Sequence, residues 1–380
     1  MSRICWPLCA LMCAAPALAQ TAPTPVAYVY VGSPTAGIFV YHAAADGSLS
    51  WVGGSPFQTI GLGVGSIGSY FFTLGTYNIH MYPVAANGAL EKQISQLDTR
   101  GYAGSDCEPT WGRAAVLNHT GQDLYVMLMS GNCATYQSYA INKRGGTLTF
   151  IGAATNSVYY PYTGYPAITG DNQYVYIPTE WKSYLLQGTL IYGFRRESSG
   201  ALANWSFTET DAPLEDGRVW TPYLIAEDPT NHVAVALAQY GLTTIRLASY
   251  TEDAQGNLST TNTYENMPIT DVFPQQINMS PDGAFLAIAG NEPNQIAFHG
   301  TAGLEIYHFN GSAPPTKYKV LTQTPIDEIH WDKSGHLYAV SNSTQQLFVY
   351  SVTAAGTNAA PGSPYKLPAP SLDSLTVVPK

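Results

Sequence analysis

The chain has 380 residues, is 45% hydrophobic and only 11% charged, and carries a formal net charge of -10. It has no basic stripe of the kind that grips a phosphate backbone, so nucleic acid is not an expected partner. The 35 glycines, 26 prolines and 27 tyrosines suit an all-β chain with many turns.

The N-terminus reads MSRICWPLCALMCAAPALAQ. Arg3 gives a positive start, residues 4–15 are apolar, and Ala17-Leu18-Ala19 is a small-x-small cleavage pattern. This predicts a signal peptide over 1–19, a short linker over 20–26, and a secreted or periplasmic location. No other stretch is long and apolar enough to span a bilayer, so no transmembrane anchor is expected. Cys5, Cys9 and Cys13 would leave with the signal, which leaves Cys107 and Cys133. Two cysteines in an exported chain favour one disulfide; the alternative is a pair of free thiols.

From Ala27 onward one phrase recurs seven times. It starts as AYVYVG at Ala27, YFFTLG at Tyr70, DLYVML at Asp123, QYVYIP at Gln173, HVAVAL at His232, FLAIAG at Phe285 and HLYAVS at His336. The spacing of roughly 40 to 60 residues is that of propeller blades. Each copy predicts the second strand of a four-stranded antiparallel meander whose first strand lies nearest the axis. Turns of the form x-Gly-x-Leu follow at Asp46, Asn87, Gly145, Ser199 and Gln255, where glycine serves hairpin geometry and not phosphate binding. Ser280-Pro281-Asp282-Gly283 is a turn between first and second strands. The first blade lacks a first strand, and SLDSLTVVPK at the C-terminus looks like an orphan one. Placing Ser374 to Val378 in that blade closes the ring and removes an exposed edge. The expected fold is therefore a seven-bladed β-propeller closed by the C-terminal strand, one domain over 27–380.

The phrases YVYVGSPTAGIFVYHAAADGSLSWVGGSPF (Tyr28 to Phe57) and INMSPDGAFLAIAGN (Ile277 to Asn291) resemble the lactonase-type propellers, the 6-phosphogluconolactonase-like and YVTN-repeat proteins. The resemblance covers nearly all of the chain after the signal. It implies a seven-bladed ring and, in enzymatic members, a Gly-Pro-Arg-His motif before an inner strand with an Asn-Glu pair after the next strand. Blade 4, TGYPAITGDNQYVYIPTEW, is the best match. Glu180 falls where the family glutamate sits, while Gly164 and Tyr165 stand at the Arg and His positions.

Candidate site residues come from the loops joining fourth to first strands and second to third strands, which share one face of the ring. Glu108, Trp111 and Arg113 precede or open blade 3. Tyr165 precedes blade 4, and Glu180, Trp181 and Lys182 form a polar and aromatic cluster on a loop within it. Arg218 and Trp220 precede blade 5. Glu180 could act as acid or base, and Arg113 and Arg218 could hold an anion through paired hydrogen bonds. Trp111, Trp220 and Tyr165 could stack on a flat ligand, or could pack between blades. His330 sits on an inner strand and could face the channel. Cys107 and Cys133 lie in two loops on the same face of blade 3, within reach of a disulfide. The eight histidines show no metal-ligand spacing, so neither a metal nor another cofactor is expected. Two functions remain open: a non-catalytic scaffold, expected to be a monomer, binding a small molecule or protein on its channel face, and a lactonase-type hydrolase using Glu180.

Overall fold

The computed structural model describes residues 24–59, 62–67, 69–100, 111–130, 133–156, 159–161, 166–181, 189–209, 220–239, 244–292, 300–369, 372 and 374–380. These form seven antiparallel sheets and no α-helix. Every recurrent phrase is the second strand of its blade: Ala27–Ser33, Tyr70–Leu74, Asp123–Ser130, Tyr174–Trp181, His232–Gln239, Phe285–Gly290 and His336–Ser341. Their residues are almost wholly buried, because each blade is packed on both faces by its neighbours.

The ring closes as the repeat requires. Ser374–Pro379 runs antiparallel to Ala27–Ser33, with Ala27 opposite Pro379 and Gly32 opposite Ser374. The first and last described strands thus share one sheet, and the Ala27–Ser33 edge is covered. Blade 4 departs from the pattern. Among the described residues the inner edge of its second strand is paired by two pieces, Ala167–Ile168 and Tyr159–Pro161.

Short polar side chains close the turns between first and second strands. Asp332 Oδ1 accepts from the amides of Ser334 (2.8 Å) and His336 (2.9 Å), and Oδ2 accepts from His336 Nδ1 (2.8 Å) and the Tyr338 hydroxyl (2.9 Å). Burial alone would raise the Asp332 carboxyl, yet these donors hold it below its ordinary value. Asp228 repeats the arrangement with Thr230 and His232 in blade 5. Asn118 Oδ1 takes the same place in blade 3, and hydroxyls of Thr169 and Ser280 do so in blades 4 and 6.

Adjacent blades are joined at the hairpins between third and fourth strands. Gly88, Gly146, Gly200 and Gly256 all have φ between 59° and 90°. A Cβ on Gly88 would lie 2.4 Å from the Tyr28 ring of the preceding blade, and one on Gly256 would lie 2.3 Å from Tyr174. The close approach lets tyrosine hydroxyls reach hairpin carbonyls: Tyr30 to Gly88 (3.0 Å), Tyr125 to Gly200 (3.1 Å) and Tyr176 to Gly256 (2.8 Å). Gly256→Ala should destabilise the protein by roughly 1–3 kcal/mol, from left-handed backbone and collision together. Tyr30→Phe should cost about 1 kcal/mol, the worth of one buried hydrogen bond. Gly53→Ala, with nothing within 4 Å of its Cβ, should be nearly neutral. Urea unfolding of the three variants checks this; equal effects at Gly53 and Gly256 would refute the latch.

Candidate functional site

The inner strands surround a central cavity of about 530 Å³. Along a strand, alternate residues share a face. In Glu328–Trp331, Ile329 is fully buried in the blade while Glu328 and His330 are half-buried on the channel wall. In Gln276–Met279 the same alternation presents Gln276 and Asn278. Glu227 ends the inner strand of blade 5, Trp220–Glu227, and also lines the cavity. The lining reaches the turns between first and second strands at His119, Asp228 and Ser280. The described cavity thus extends toward the face opposite the one expected to hold the ligand.

His330 Nδ1 lies 2.9 Å from the Trp331 carbonyl oxygen. A carbonyl only accepts, so Nδ1 carries the proton and Nε2 is left as an acceptor. Burial pulls the His330 pKa below its ordinary value, so the ring is neutral at pH 7. The Gln276 side-chain oxygen accepts from the Ile329 amide, and Trp331 Nε1 donates to the Asn278 carbonyl oxygen (3.2 Å). These contacts fix the wall between blades 6 and 7.

Burial pushes the Glu227 carboxyl up to about 7; amide hydrogen bonds from Glu227 and Ile168 oppose the shift, and the Asp228 charge adds to it. Glu252 is likewise pushed up to about 7, first by burial. Its Oε2 is 2.9 Å from the Tyr176 hydroxyl that also meets Gly256. One hydroxyl hydrogen cannot serve both acceptors fully.

The sequence candidates are placed as follows. Trp111 and Arg113 lie in the inner strand Trp111–Leu117, where the register shifts between Gly112 and Ala114. Arg113 is therefore the extra residue of a β-bulge, a feature that re-aims a chain locally. Glu180 and Trp181 are not on a loop. They end the strand Tyr174–Trp181, with Glu180 opposite both Tyr160 and Thr189 and Trp181 opposite Tyr159. Tyr159–Pro161 supplies the partner that makes this end a strand. Trp220 is no open stacking surface. It is 1% exposed in the core between blades 4 and 5, edge-on to Tyr264 at 6.1 Å. Its place at the start of an inner strand makes it an interface residue first. Cys133 opens the third strand of blade 3. Cys107, Glu108, Tyr165, Lys182 and Arg218 lie outside the described residues, and so does the Cys107–Cys133 pairing. Sequence reasoning passed over Glu227, Gln276 and Asn278. Their signal is a polar residue recurring on one face of an otherwise apolar inner strand. Among the described residues no group of three or more His, Cys, Asp and Glu is placed to hold a metal ion.

The raised Glu227 has a defined consequence. Its carboxyl ionises near its ordinary value in the unfolded chain but only near 7 in the folded one. The folded state then holds more protons between those values, so this group's contribution to stability falls as pH rises from about 4.5 to 7 and levels off above. Glu227→Gln should flatten that slope, recovering on the order of 1–3 kcal/mol at pH 8 relative to pH 5. Urea midpoints at the two pH values decide it; an unchanged slope would show that the carboxyl is already ionised in the fold.

No protein-family model matches the chain, and no curated protein matches it in sequence. Solved structures do match in shape. A protein from Lactobacillus plantarum superposes with a TM-score of 0.66 at 14% identity, covering 93% of this chain and 99% of that one. A candidate 6-phosphogluconolactonase from Bacteroides uniformis gives 0.65 at 12% identity, with 93% and 99% coverage. Another from Bacteroides fragilis gives 0.62 at 14%, with 93% and 98% coverage. The chain therefore shares the fold of 6-phosphogluconolactonase-like seven-bladed propellers.

Proposed function

We propose that this chain is an exported propeller that binds a small polar ligand in its central channel without turning it over. The supporting observation is the channel wall. It is lined by Glu227, Glu328, His330, with its neutral ring, and the amides of Gln276 and Asn278, with the turn-closing Asp228 at one end, and by no Lys or Arg among the described lining residues. A phosphorylated or carboxylated ligand would meet acidic groups there with no cation among the described lining residues to offset its charge, whereas a neutral or cationic polar ligand finds acceptors and amides. Export rests on the N-terminal pattern at 1–19. Among the described residues no helix is long and apolar enough to cross a membrane.

The second reading is a lactonase-type hydrolase with Glu180 as acid or base, and it is favoured by the fold of the Bacteroides proteins. One experiment separates the two. Purified protein is titrated calorimetrically with a neutral sugar lactone and with its phosphorylated counterpart, and lactone hydrolysis is followed in parallel. The neutral lactone should bind, the phosphorylated form should bind at least about tenfold more weakly, and hydrolysis should stay at the spontaneous rate. His330→Ala should weaken the neutral ligand about tenfold, the worth of one hydrogen bond. Turnover by the wild type that disappears in Glu180→Gln would establish the hydrolase instead.

A further inference from the structure

Blade 5 carries a cation that the channel does not use. Arg246 lies in the third strand of that blade, Ile245–Glu252, between the buried residues Ile245 and Leu247. Its guanidinium carbon is 4.1 Å from the centre of the Tyr264 ring and 5.9 Å from that of Trp220. Nη1 donates to the carbonyl oxygens of Tyr264 (2.9 Å) and Met267 (2.7 Å). Among the described residues no carboxylate pairs with it. The other ion pairs show what a satisfied cation looks like in this fold: Arg196 reaches Asp123 at 2.7 Å, and Lys317 bridges Asp271 and Glu305.

The two carbonyls thus take up Nη1. Nε is buried and has no acceptor among the described residues. Beside it Trp220 is 1% exposed, and its buried indole Nε1 has no acceptor either. Buried donors are nearly always satisfied, so orphaned N–H groups around one guanidinium need an explanation. The Nε–Nη2 edge is the flat fork that matches the two oxygens of a carboxylate, an acceptor that carries no hydrogen of its own. The rings of Tyr264 and Trp220 would shield the pair from water, which strengthens it. Trp220 starts the inner strand of blade 5, whose far end carries Glu227, so this cluster and the acidic part of the channel lie at opposite ends of one strand.

We propose that Arg246 and Trp220 form a carboxylate-binding site at the blade 4–blade 5 interface, separate from the channel site. Small organic acids are the ligand class, with Arg246 supplying the two-toothed contact and Trp220 a third donor.

The probe is sodium acetate, titrated into the full chain without its signal peptide at ionic strength held constant with sodium chloride. The readout is the indole N–H resonance of Trp220, identified as the one missing from Trp220→Phe. It should move downfield and saturate in the millimolar range. Arg246→Met should abolish the movement, and Arg246→Lys, which keeps charge but not the fork, should weaken binding about tenfold. Trp220→Phe, which keeps the ring and loses only the donor, should weaken acetate binding about fivefold by calorimetry. His330→Ala should leave acetate binding unchanged, which separates this site from the channel. An unmoved Trp220 resonance would overturn the proposal, as would acetate binding that survives in Arg246→Met. A response to inorganic phosphate with none to acetate would overturn the choice of carboxylate.

Discussion

The ring depends on one recurring contact: a glycine hairpin of one blade pressed against the first residues of the second strand of the blade before it. Gly88 meets Tyr28, Gly146 meets Tyr70, Gly256 meets Tyr174 and Gly200 meets Asp123. Gly311 and Gly47 meet His232 and His336 in the same way. The junction between blades 6 and 7 uses Tyr318, which donates to the Thr353 carbonyl oxygen at 3.0 Å. Any side chain on these hairpins would push the blades apart. Two requirements coincide there, a left-handed backbone and lack of space, and only glycine meets both. The spacing between blades sets how near the inner strands come to the axis, and hence the size of the channel.

The same contact explains why tyrosine is so frequent. Period-two alternation puts residues i and i+2 on one face, so Tyr28 with Tyr30, and Tyr174 with Tyr176, present ring after ring to the next blade. Each ring supplies apolar area, and the hydroxyls of Tyr28, Tyr30 and Tyr176 satisfy hairpin carbonyls that the interface would otherwise bury unpaired. Where the first position is not aromatic, charge substitutes. Asp123 receives Asn118 Nδ2 (2.7 Å) and Arg196 Nε (2.8 Å), a link from blade 3 to blade 4 in place of a stacked ring. Burial in these seams also holds the Tyr30 and Tyr125 hydroxyls well above their ordinary range, so they remain donors at all moderate pH values.

Legibility in the sequence follows from how local each feature is. The seven second strands are readable because an apolar run buried on both faces and a nearby turn sit within about ten residues, with alternating tyrosines added at Ala27 and Gln173. Ring closure by Ser374–Pro379 is readable because an unmatched first strand and an unmatched end of chain can be counted. Blade 4 is harder. Its described inner edge is in two pieces, Ala167–Ile168 and Tyr159–Pro161, and the partner of Glu180 is Tyr160, a pairing that no local pattern announces. The channel wall is harder still. Glu227, Gln276 and His330 come together only because three blades converge on one axis, and none carries a local motif. Candidates drawn from the loops pointed to one face of the ring, while the described cavity extends toward the other.

Trp220 shows why residue type alone cannot separate scaffold from site in a propeller. The start of an inner strand is at once the end of a loop, where ligands are sought, and part of the seam between blades, where large side chains are needed. An aromatic residue there satisfies the packing demand whatever the function. Packing alone leaves some polar atoms over, as at the Tyr136 hydroxyl, so what sets the Trp220 cluster apart is that its orphaned donors belong to a cation and to the ring beside it. The Tyr176 hydroxyl has its hairpin carbonyl, and the Tyr338 hydroxyl has Asp332. Trp220 Nε1 and Arg246 Nε have no acceptor among the described residues. Orphaned donors persist in a well-packed interface only against a cost of roughly 1–3 kcal/mol each, and a ligand that supplied the missing acceptor would remove that cost on binding.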